Sequence, residues 1–365
     1  MTIRRTTRSP WWGRRTERPR LRRWRRRVWL AAWLSAAMWL PASLGCSKPS
    51  SGEQASGGET LVIRYEGSPG NVSLSELAED LGYLAPVRLE FMGNNMTGGP
   101  HSIQAVLTGD LDVGGSFNGA IVKLVAAGAP LTAVISAYGT DEKSFQGFYA
   151  LEGSPIRSAR DFIGKKVAIN TLGAHAEFAL REYLERGGLS AAEAAQVTMV
   201  ALPASNGEQA LRGGQVDVVC LSTIFRDKAL ERGGLSLVFS DHQLFGSFNA
   251  GSAVMSERFI ANNPNTVRKY VDGLGKAIEW ARARPREQVV ARLSEIIAKR
   301  GRNEDTSIVR YWTSFTVPTA RGVLRNEDFR IWIDWLVRDG QVAAGQVAPS
   351  DIYTNQFQPE PLAER

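Results

Sequence analysis

Residues 104–113 and 209–218 repeat one short pattern, and this internal repeat constrains the fold more than any other feature. Gln, Ala, Gly, Asp and Val occur in the same order in both copies, each displaced by 105 positions. Each copy begins on an apolar helical face, stops at a glycine and continues into a short apolar segment that contains Asp112 or Asp217. A helix, a glycine stop and a buried strand make half of a βαβ unit. The separation is too large for a repeat array, whose period is roughly 20–50 residues, so two α/β lobes with a cleft between them are predicted.

The positive charge of the chain is concentrated at its N-terminus. The chain has 44 basic and 37 acidic residues, and twelve of the basic residues are arginines between Arg4 and Arg27. Without residues 1–45 there are 32 basic and 36 acidic residues, a net charge of −4. Because the basic charge lies in one detachable segment, no nucleic-acid partner is predicted.

An uncharged run at 28–45 follows these arginines and ends immediately before Cys46. A basic segment, an apolar segment and small residues before a cleavage point are typical of a secretory signal. A run of this length can also just span a bilayer, so a permanent signal-anchor helix is the alternative. Residues 43–46 (Ser-Leu-Gly-Cys) resemble the lipobox of bacterial lipoproteins, which implies lipidation of Cys46 and a membrane anchor. The following residues are rich in Ser, Gly and Glu and predict a flexible tether.

Strand and helix patterns alternate over the remaining residues, and this alternation predicts parallel sheets with the ligand at the carboxyl ends of the strands. Ser73 and Glu76 predict a capping box at the start of the first helix. After a long amphipathic helix at 267–283, capped by Asn263 with Pro264, the chain is expected to be mostly helical to Val342. The predicted strands are 61–65, 87–91, 111–113, 131–138, 165–170, 197–202 and 216–221.

Two crossings divide the predicted lobes, the first at 146–151 and the second around 235–241 and 252–259. The resulting divisions are a signal segment at 1–45, a tether at 46–59, lobe 1 at 60–147 and 248–342, lobe 2 at 148–247, and a C-terminal tail at 343–365.

Four phrases resemble the alkanesulfonate/nitrate/taurine family of ABC-transporter substrate-binding proteins, which also includes binders of thiamine precursors. They are LTGDLDVG (107–114), ARDFIGKKVAIN (159–170), the Gly-His helix start (173–175) and LRGGQVDVV (211–219). The resemblance covers about residues 60–290. It implies a type II periplasmic-binding-protein fold, in which a two-stranded hinge joins two α/β lobes that close on a ligand. The sequence departs from the family in the loops at 92–101 and 114–119, so the ligand is not identified.

Catalytic and metal-binding patterns are not found. His101, His175 and His242 lack metal-ligand spacing, and Cys220 is the only cysteine after Cys46. The motifs G-x-S-x-G, G-x-G-x-x-G and the P-loop are missing from the sequence. No metal, cofactor or enzymatic activity is therefore predicted. Asp112 and Asp217 are expected to hydrogen-bond backbone where their strands meet loops.

The strongest candidate for ligand binding is the helix start at Thr171, Gly173, Ala174 and His175. Unpaired N–H groups and the positive end of the helix dipole lie at such a position, so an oxyanion such as a sulfonate can bind without an arginine. Alternatively, Gly173 serves only the turn and His175 covers the helix end.

Other candidates follow predicted strands at the same edge. Phe117, Tyr138 and Phe225 offer aromatic surface, while Glu66 is either a partner for a ligand amine or a solvated carboxylate. Trp312, Trp332 and Trp335 are expected in the core. The polar candidates are Ser68, Asn71, Ser116, Asn118, Ser222 and Thr223.

Together these features predict an exported, membrane-tethered, monomeric receptor that passes a small molecule to an ABC permease and its ATPase in the inner membrane. A sulfonate-like anion is the first ligand hypothesis, and an aromatic or heterocyclic nutrient is the second. An enzyme on this fold is less consistent with the signal segment, because the enzymes known on it are cytosolic. A sensor domain of a membrane-bound kinase is a further alternative.

Overall fold

The computed structural model describes residues 58–95 and 97–359. The strands are β1 (Val62–Gly67), β2 (Arg88–Asn94), β3 (Gly114–Phe117), β4 (Leu131–Thr140), β5 (Gly147–Leu151), β6 (Lys166–Ile169), β7 (Thr198–Ala201), β8 (Val218–Leu221), β9 (Leu235–Ser240) and β10 (Phe248–Ser256). The α-helices are α1 (Leu74–Asp80), α2 (Gly99–Thr108), α3 (Asn118–Ala126), α4 (His175–Arg186), α5 (Ala191–Ala194), α6 (Ala204–Arg212), α7 (Thr223–Glu231), α8 (Asp241–Phe245), α9 (Glu257–Asn262), α10 (Pro264–Ala283), α11 (Arg286–Lys299) and α12 (Glu327–Arg338).

The strands form three sheets. β1 pairs in parallel with β2, and β10 lies antiparallel between β3 and β4. The third sheet has the order β7-β6-β8-β5-β9 and lies wholly within residues 147–240. The chain therefore leaves the first set of strands after β4 and returns to it at β10. This arrangement confirms the predicted fold class of two α/β lobes joined by two crossings.

The internal repeat forms the predicted half-units in both lobes. Gly109 (φ 83°) ends α2 and Gly214 (φ 66°) follows α6, both in the left-handed region that glycine adopts without steric cost. The strand predicted at 111–113 begins later, at Gly114. The N–H groups of Asp112 and Val113 both donate to the carbonyl of Arg64, at 3.0 and 3.3 Å, so these two residues run beside β1 before the strand starts.

The predicted capping box is confirmed at the start of α1. Ser73 Oγ accepts the N–H of Glu76 at 3.2 Å, and the Glu76 carboxylate accepts the N–H of Ser73 at 3.0 Å. Two otherwise unpaired donors of the first turn are thereby satisfied. The capping box thereby fixes the first turn of α1. Both this turn and the end of β1 line a cavity, which is described below.

The prediction of mainly helical structure up to Val342 is wrong between α11 and α12. This segment contains only two short 3₁₀ turns, Thr306–Tyr311 and Ala320–Gly322. The backbone has positive φ at Asn303, Thr316 and Arg321, a conformation that an α-helix cannot include.

Residues 343–359 of the predicted tail pack against β4. The N–H of Ala133 donates to the carbonyl of Ile352, and the N–H of Thr354 donates to the carbonyl of Ala133. Ile352 and Phe357 are buried. This part of the chain therefore contributes to the core.

The predicted signal segment, Cys46 and the tether up to residue 57 lie outside the described residues. Within residues 58–95 and 97–359, no helix combines the length and the apolar character needed to cross a bilayer.

Candidate functional site

A cavity of about 410 Å³ opens between the two lobes. Its walls come from the end of β1 and the following turn, from β3, from the first crossing around Tyr138–Gln146, from lobe 2 at Ser222–Ile224, and from the irregular segment Trp312–Thr316. A smaller cavity of about 100 Å³ shares Gly115, Tyr138, Gln146 and His175 with the first.

The cavities bring together most, but not all, of the predicted binding residues. Those that line the larger cavity are Ser68, Asn71, Tyr138, His175, Ser222 and Thr223. Those that line the smaller one are Ser116, Phe117, Tyr138, Ala174 and His175. Those that line neither are Asn118, Thr171, Gly173 and Phe225.

A buried ionic network holds the turn that follows β1. Arg300 donates to the carbonyl of Asn71 at 3.0 Å and to Glu76 at 3.0 Å, and it also binds Glu304. The N–H of Gly70 donates to Glu304 at 2.5 Å. Arg300 and both carboxylates are buried, and each charge has an opposite partner. The network therefore fixes the backbone around Asn71 without presenting a free cation to the cavity.

Aromatic rings form much of the cavity wall. The lining rings belong to Tyr65, Tyr138, Phe145, Tyr270, Trp312 and Phe315. Burial raises the pKa of Tyr138 and raises that of Tyr270 to about 12, so both phenols stay protonated at neutral pH. The buried Nε1 of Trp312 has no hydrogen-bond partner within the described residues. This wall thus offers stacking surface and N–H or O–H groups.

Glu66 is the only Asp, Glu, Lys or Arg among the described residues that line either cavity. Its side chain is 14% exposed. Oε1 lies 3.5 Å from Nδ1 of His101, while Oε2 is buried without a hydrogen-bond partner in the described part of the chain. The one charge in the described lining of the two cavities is therefore a carboxylate.

His175 connects the cavity to the crossings between the lobes. Its Nε2 lies 3.2 Å from the buried carboxylate of Asp241. Asp241 also accepts the hydroxyl of Thr140 at 2.7 Å and the N–H of Gln146 at 3.0 Å, so it links both crossings. The ring of His175 is stacked on that of Phe117, with centroids 5.0 Å apart.

Phe117 is already packed on several rings. It is 2% exposed and contacts Phe178 and Trp332 edge-on, at centroid distances of 5.0 and 4.6 Å. Its position at the end of β3 turns it into the core, where the predicted core residue Trp332 lies fully buried. Phe225 is partly buried and packs on a hydrophobic cluster that includes Ile63 and Tyr270, and it lines neither cavity.

Asn118 belongs to a buried polar network. Its amide donates to the carbonyls of Asn249 and Asp328, both at 3.2 Å, and accepts the hydroxyl of Ser252 at 2.7 Å. All of its side-chain hydrogen-bonding groups are thereby used within the protein, as a fully buried amide requires. The side chain of Asn118 points inward because α3 begins at this residue.

The helix start at Thr171–His175 differs from the predicted anion site. α4 begins at His175, and the N–H of Gly173 donates to the carboxylate of Glu177 at 2.8 Å. The chain's own carboxylate therefore occupies a donor on which the anion hypothesis depends. The side chain of Thr171 lies against Gly98 of lobe 1.

The segment 312–316 is the part of the site that sequence reasoning missed. Thr316 in this segment and Thr223 in lobe 2 both have positive φ, 53° and 47°. Such backbone is rare for β-branched residues and is concentrated at functional sites. The run Trp-Thr-Ser-Phe-Thr, aromatic and hydroxylic without a charge, is the one signal in the sequence that points to it.

Cys220 is the free cysteine among the described residues. The thiol of Cys220 lies 3.6 Å from the amide oxygen of Gln146, and burial raises its pKa well above the usual range. Within the described ranges, no three His, Cys, Asp or Glu side chains are placed to hold a metal ion.

Several solved structures share the fold of this chain. The alkanesulfonate-binding protein SsuA from Xanthomonas axonopodis pv. citri, bound to MOPS, is 20% identical, with a TM-score of 0.62 over 81% of this chain and 99% of that one. The nitrate-binding protein NrtA from Synechocystis is 12% identical, with a TM-score of 0.63 over 81% and 87%. The desulfurization enzyme DszB is 16% identical, with a TM-score of 0.54 over 81% and 97%. These similarities establish a shared fold.

No curated protein matches the chain in a sequence search. The family model described as "NMT1/THI5 like" matches residues 76–288, which is more than half of the chain. This match spans both lobes and includes both copies of the internal repeat. The family predicted from the sequence phrases is thereby confirmed, and the chain belongs to the NMT1/THI5-like family.

Proposed function

We propose that the chain is the solute-binding receptor of an ABC importer. It takes up a small organic molecule in the cavity between its lobes and delivers it to a permease and ATPase in the membrane. Both lobes and both crossings contribute to the cavity, so a ligand bound there stabilises the closed form over the open one. Export, an anchor through Cys46 and a monomeric state complete the proposal.

The ligand best suited to the cavity is an aromatic or heterocyclic molecule with hydrogen-bonding groups. The observation that carries this choice is the composition of the wall: aromatic rings, hydroxyls and amides, with no Lys or Arg among its described residues. Rings stack on such surfaces, and a few placed polar groups fix the orientation of a ligand. The volume of about 410 Å³ is of the size of small-molecule pockets.

A sulfonate-like anion is the second candidate, because SsuA proteins share the fold. An anion in this cavity needs donors from the backbone and hydroxyls alone, next to the carboxylate of Glu66. The desulfurization enzyme DszB also shares the fold, so the experiment must also measure whether the bound solute is converted to a product. We propose binding without turnover, since the buried, protonated Cys220 is not a suitable nucleophile.

The decisive experiment screens the purified full chain by thermal shift and calorimetry against pyrimidines, flavins, aromatic amines, sulfonates and nitrate. A ligand at a hundred times its dissociation constant adds about 2.7 kcal/mol of stability. Product analysis by mass spectrometry is expected to recover the ligand unchanged. If no solute shifts the melting temperature, or if the bound solute is converted, the receptor function is wrong.

Gly115→Phe supplies the control for the site of binding. Gly115 lines both cavities, and a Cβ there meets no atom within 4 Å, so a large side chain fills the cavity without a clash at its base. We expect a loss of affinity of at least about 100-fold, because the ligand and the ring compete for one volume. Ala195→Phe, at an exposed position of lobe 2, is the matched control and is expected to bind normally.

The anchor is tested separately with Cys46→Ser. If Cys46 is lipidated, this variant is released from membranes and loses palmitate labelling. Membrane retention of both proteins without labelling of the parent supports the signal-anchor helix.

A further inference from the structure

Glu66 combines three features that no other described cavity residue has: a charge, low exposure and a carboxylate oxygen without a partner. The register of β1 against β2 shifts between Tyr65 and Glu66, where Met92 is passed over in the pairing. Consecutive side chains of a regular strand point to opposite faces, yet both Tyr65 and Glu66 line the cavity. The extra residue of this irregularity, Met92, lies on β2, the neighbour of β1, and such irregularities are frequent beside binding sites.

The cations nearest to this strand end are already committed to other groups. Arg302 lies against Gly67, but it donates to Glu76 at 3.2 Å and to the hydroxyl of Tyr65 at 2.8 Å. Arg300 binds Glu76 and Glu304. His101 is 57% exposed and approaches only the other oxygen of Glu66. The protein therefore supplies no strong donor to Oε2 within the described residues.

We infer that Glu66 binds a protonated nitrogen of the ligand, so that the ligand is a small aromatic or heterocyclic cation with an ammonium or amidinium group. This inference rests on the proposed function and narrows it. A buried carboxylate oxygen that has lost water without gaining a donor is unfavourable, and a ligand N–H removes that penalty on binding. The rings of Tyr138 and Phe315, which line the same cavity, favour a cationic or aromatic ligand. The same carboxylate repels a sulfonate.

Three probes with one common ring separate the charge from the shape of the ligand: benzylamine, benzyl alcohol and phenylmethanesulfonate. Their dissociation constants are measured by calorimetry with the full chain, with Glu66→Gln and with Glu152→Gln. Glu152 is an exposed carboxylate outside the cavity, so its variant makes the same chemical change elsewhere. Glu66→Gln keeps the size of the side chain, and its melting temperature is expected to match that of the parent.

We expect the parent and Glu152→Gln to bind benzylamine most tightly. In Glu66→Gln we expect benzylamine to bind about 10- to 100-fold more weakly, the scale of a hydrogen bond between charged groups. Benzyl alcohol is expected to change less than threefold, about 0.7 kcal/mol. Glu66→Asp, which keeps the charge, tests the inference again if Glu66→Gln is unstable, and it is expected to retain the preference for benzylamine.

The inference is overturned if the sulfonate is the tightest ligand of the parent, or if Glu66→Gln keeps the preference for benzylamine. Binding of solutes from the larger screen without a charge preference rejects the role of Glu66 but leaves the receptor function intact. Binding of neither the probes nor any solute in the screen rejects both.

Discussion

The two copies of the internal repeat hold β1 in lobe 1 and β6 in lobe 2 in the same way. In lobe 1 the carboxylate of Asp112 accepts the N–H of Arg64 at 2.9 Å, and the N–H of Asp112 donates to the Arg64 carbonyl. In lobe 2 the carboxylate of Asp217 accepts the N–H of Lys166 at 2.8 Å, with the same return bond. The repeated Asp is thus a fixed structural device, as predicted from the sequence, and catalysis does not explain it.

The copies differ in what the strand residue does with its side chain. The guanidinium of Arg64 turns back onto Asp112, with contacts of 3.0 and 2.6 Å to its two oxygens. The corresponding Lys166 is exposed and makes no such contact in the described structure. A planar guanidinium binds both carboxylate oxygens, whereas an ammonium offers a single charged point. The same motif therefore carries more interaction energy in lobe 1 than in lobe 2.

The largest expected effect is that of Asp112→Ala. The substitution removes the acceptor of one backbone N–H and leaves Arg64 without its partner, in a position where the aspartate is 8% exposed. We expect the free energy of unfolding to fall by about 3 kcal/mol. Urea denaturation followed by circular dichroism measures it. A loss below about 1 kcal/mol would show that the interaction of Asp112 with Arg64 contributes little to the stability of lobe 1.

Asp217→Ala is expected to have about half that effect. Only the N–H of Lys166 loses an acceptor, and the site is partly exposed. We expect a loss of about 1.5 kcal/mol. Hydrogen exchange of the Lys166 amide is expected to speed up in this variant while that of Arg64 stays unchanged. Equal losses for Asp112→Ala and Asp217→Ala contradict the proposed difference between the copies.

Arg64→Met isolates the side chain that distinguishes the copies. It keeps an apolar stem of similar length and both backbone bonds, and it is expected to cost about 1 kcal/mol, because the guanidinium is partly exposed and screened. The cost is expected to shrink in high salt. Lys166→Met, the matched change in lobe 2, is expected to stay within about 0.5 kcal/mol of the parent. If Lys166→Met lowers the free energy of unfolding more than Arg64→Met does, the motif is stronger in lobe 2, and the proposed difference between the copies is wrong.

The fold could be predicted where it depends on local sequence signals. The glycine stops, the capping box at Ser73 and the backbone role of Asp112 depend on neighbours within a few residues or on a repeated pattern, so the sequence shows them. The partner of Asp112 lies 48 residues earlier, and nothing in the local pattern selects it. The prediction of helix after α11 is wrong because the backbone is left-handed at positions such as Asn303 and Thr316, and a left-handed residue interrupts an α-helix.

The site was predictable where it follows strand ends, and not elsewhere. Ser68, Asn71, Tyr138 and Ser222 follow or end strands and line the cavity, as topology suggests. The inward direction of Asn118 depends on where α3 begins, which sequence fixes only to within a few residues. The spacing of Trp312, Trp332 and Trp335 predicts a helix-packing face in the core; Trp312 is 8% exposed, but it also lines the cavity.

The smallest expected effect concerns the carboxyl ends of β1 and β6. At the carboxyl end of β1, residues 66–68 line the cavity, whereas the turn after β6 leaves Thr171 and Gly173 outside it. The N–H of Gly173 is already bound to Glu177. A ligand therefore has little to gain from Thr171, although the sequence makes its hydroxyl a candidate for an oxyanion.

Thr171→Ala is accordingly expected to change the affinity for any solute found in the screen by less than about twofold, or 0.4 kcal/mol. Calorimetry measures the affinity, and Thr198→Ala, at an exposed position of β7, serves as the matched control. A tenfold loss in Thr171→Ala alone, confined to sulfonates, restores the oxyanion hypothesis for the 171–175 helix start. In that case closure of the lobes must release Glu177 from Gly173, and Glu177→Gln would then strengthen sulfonate binding.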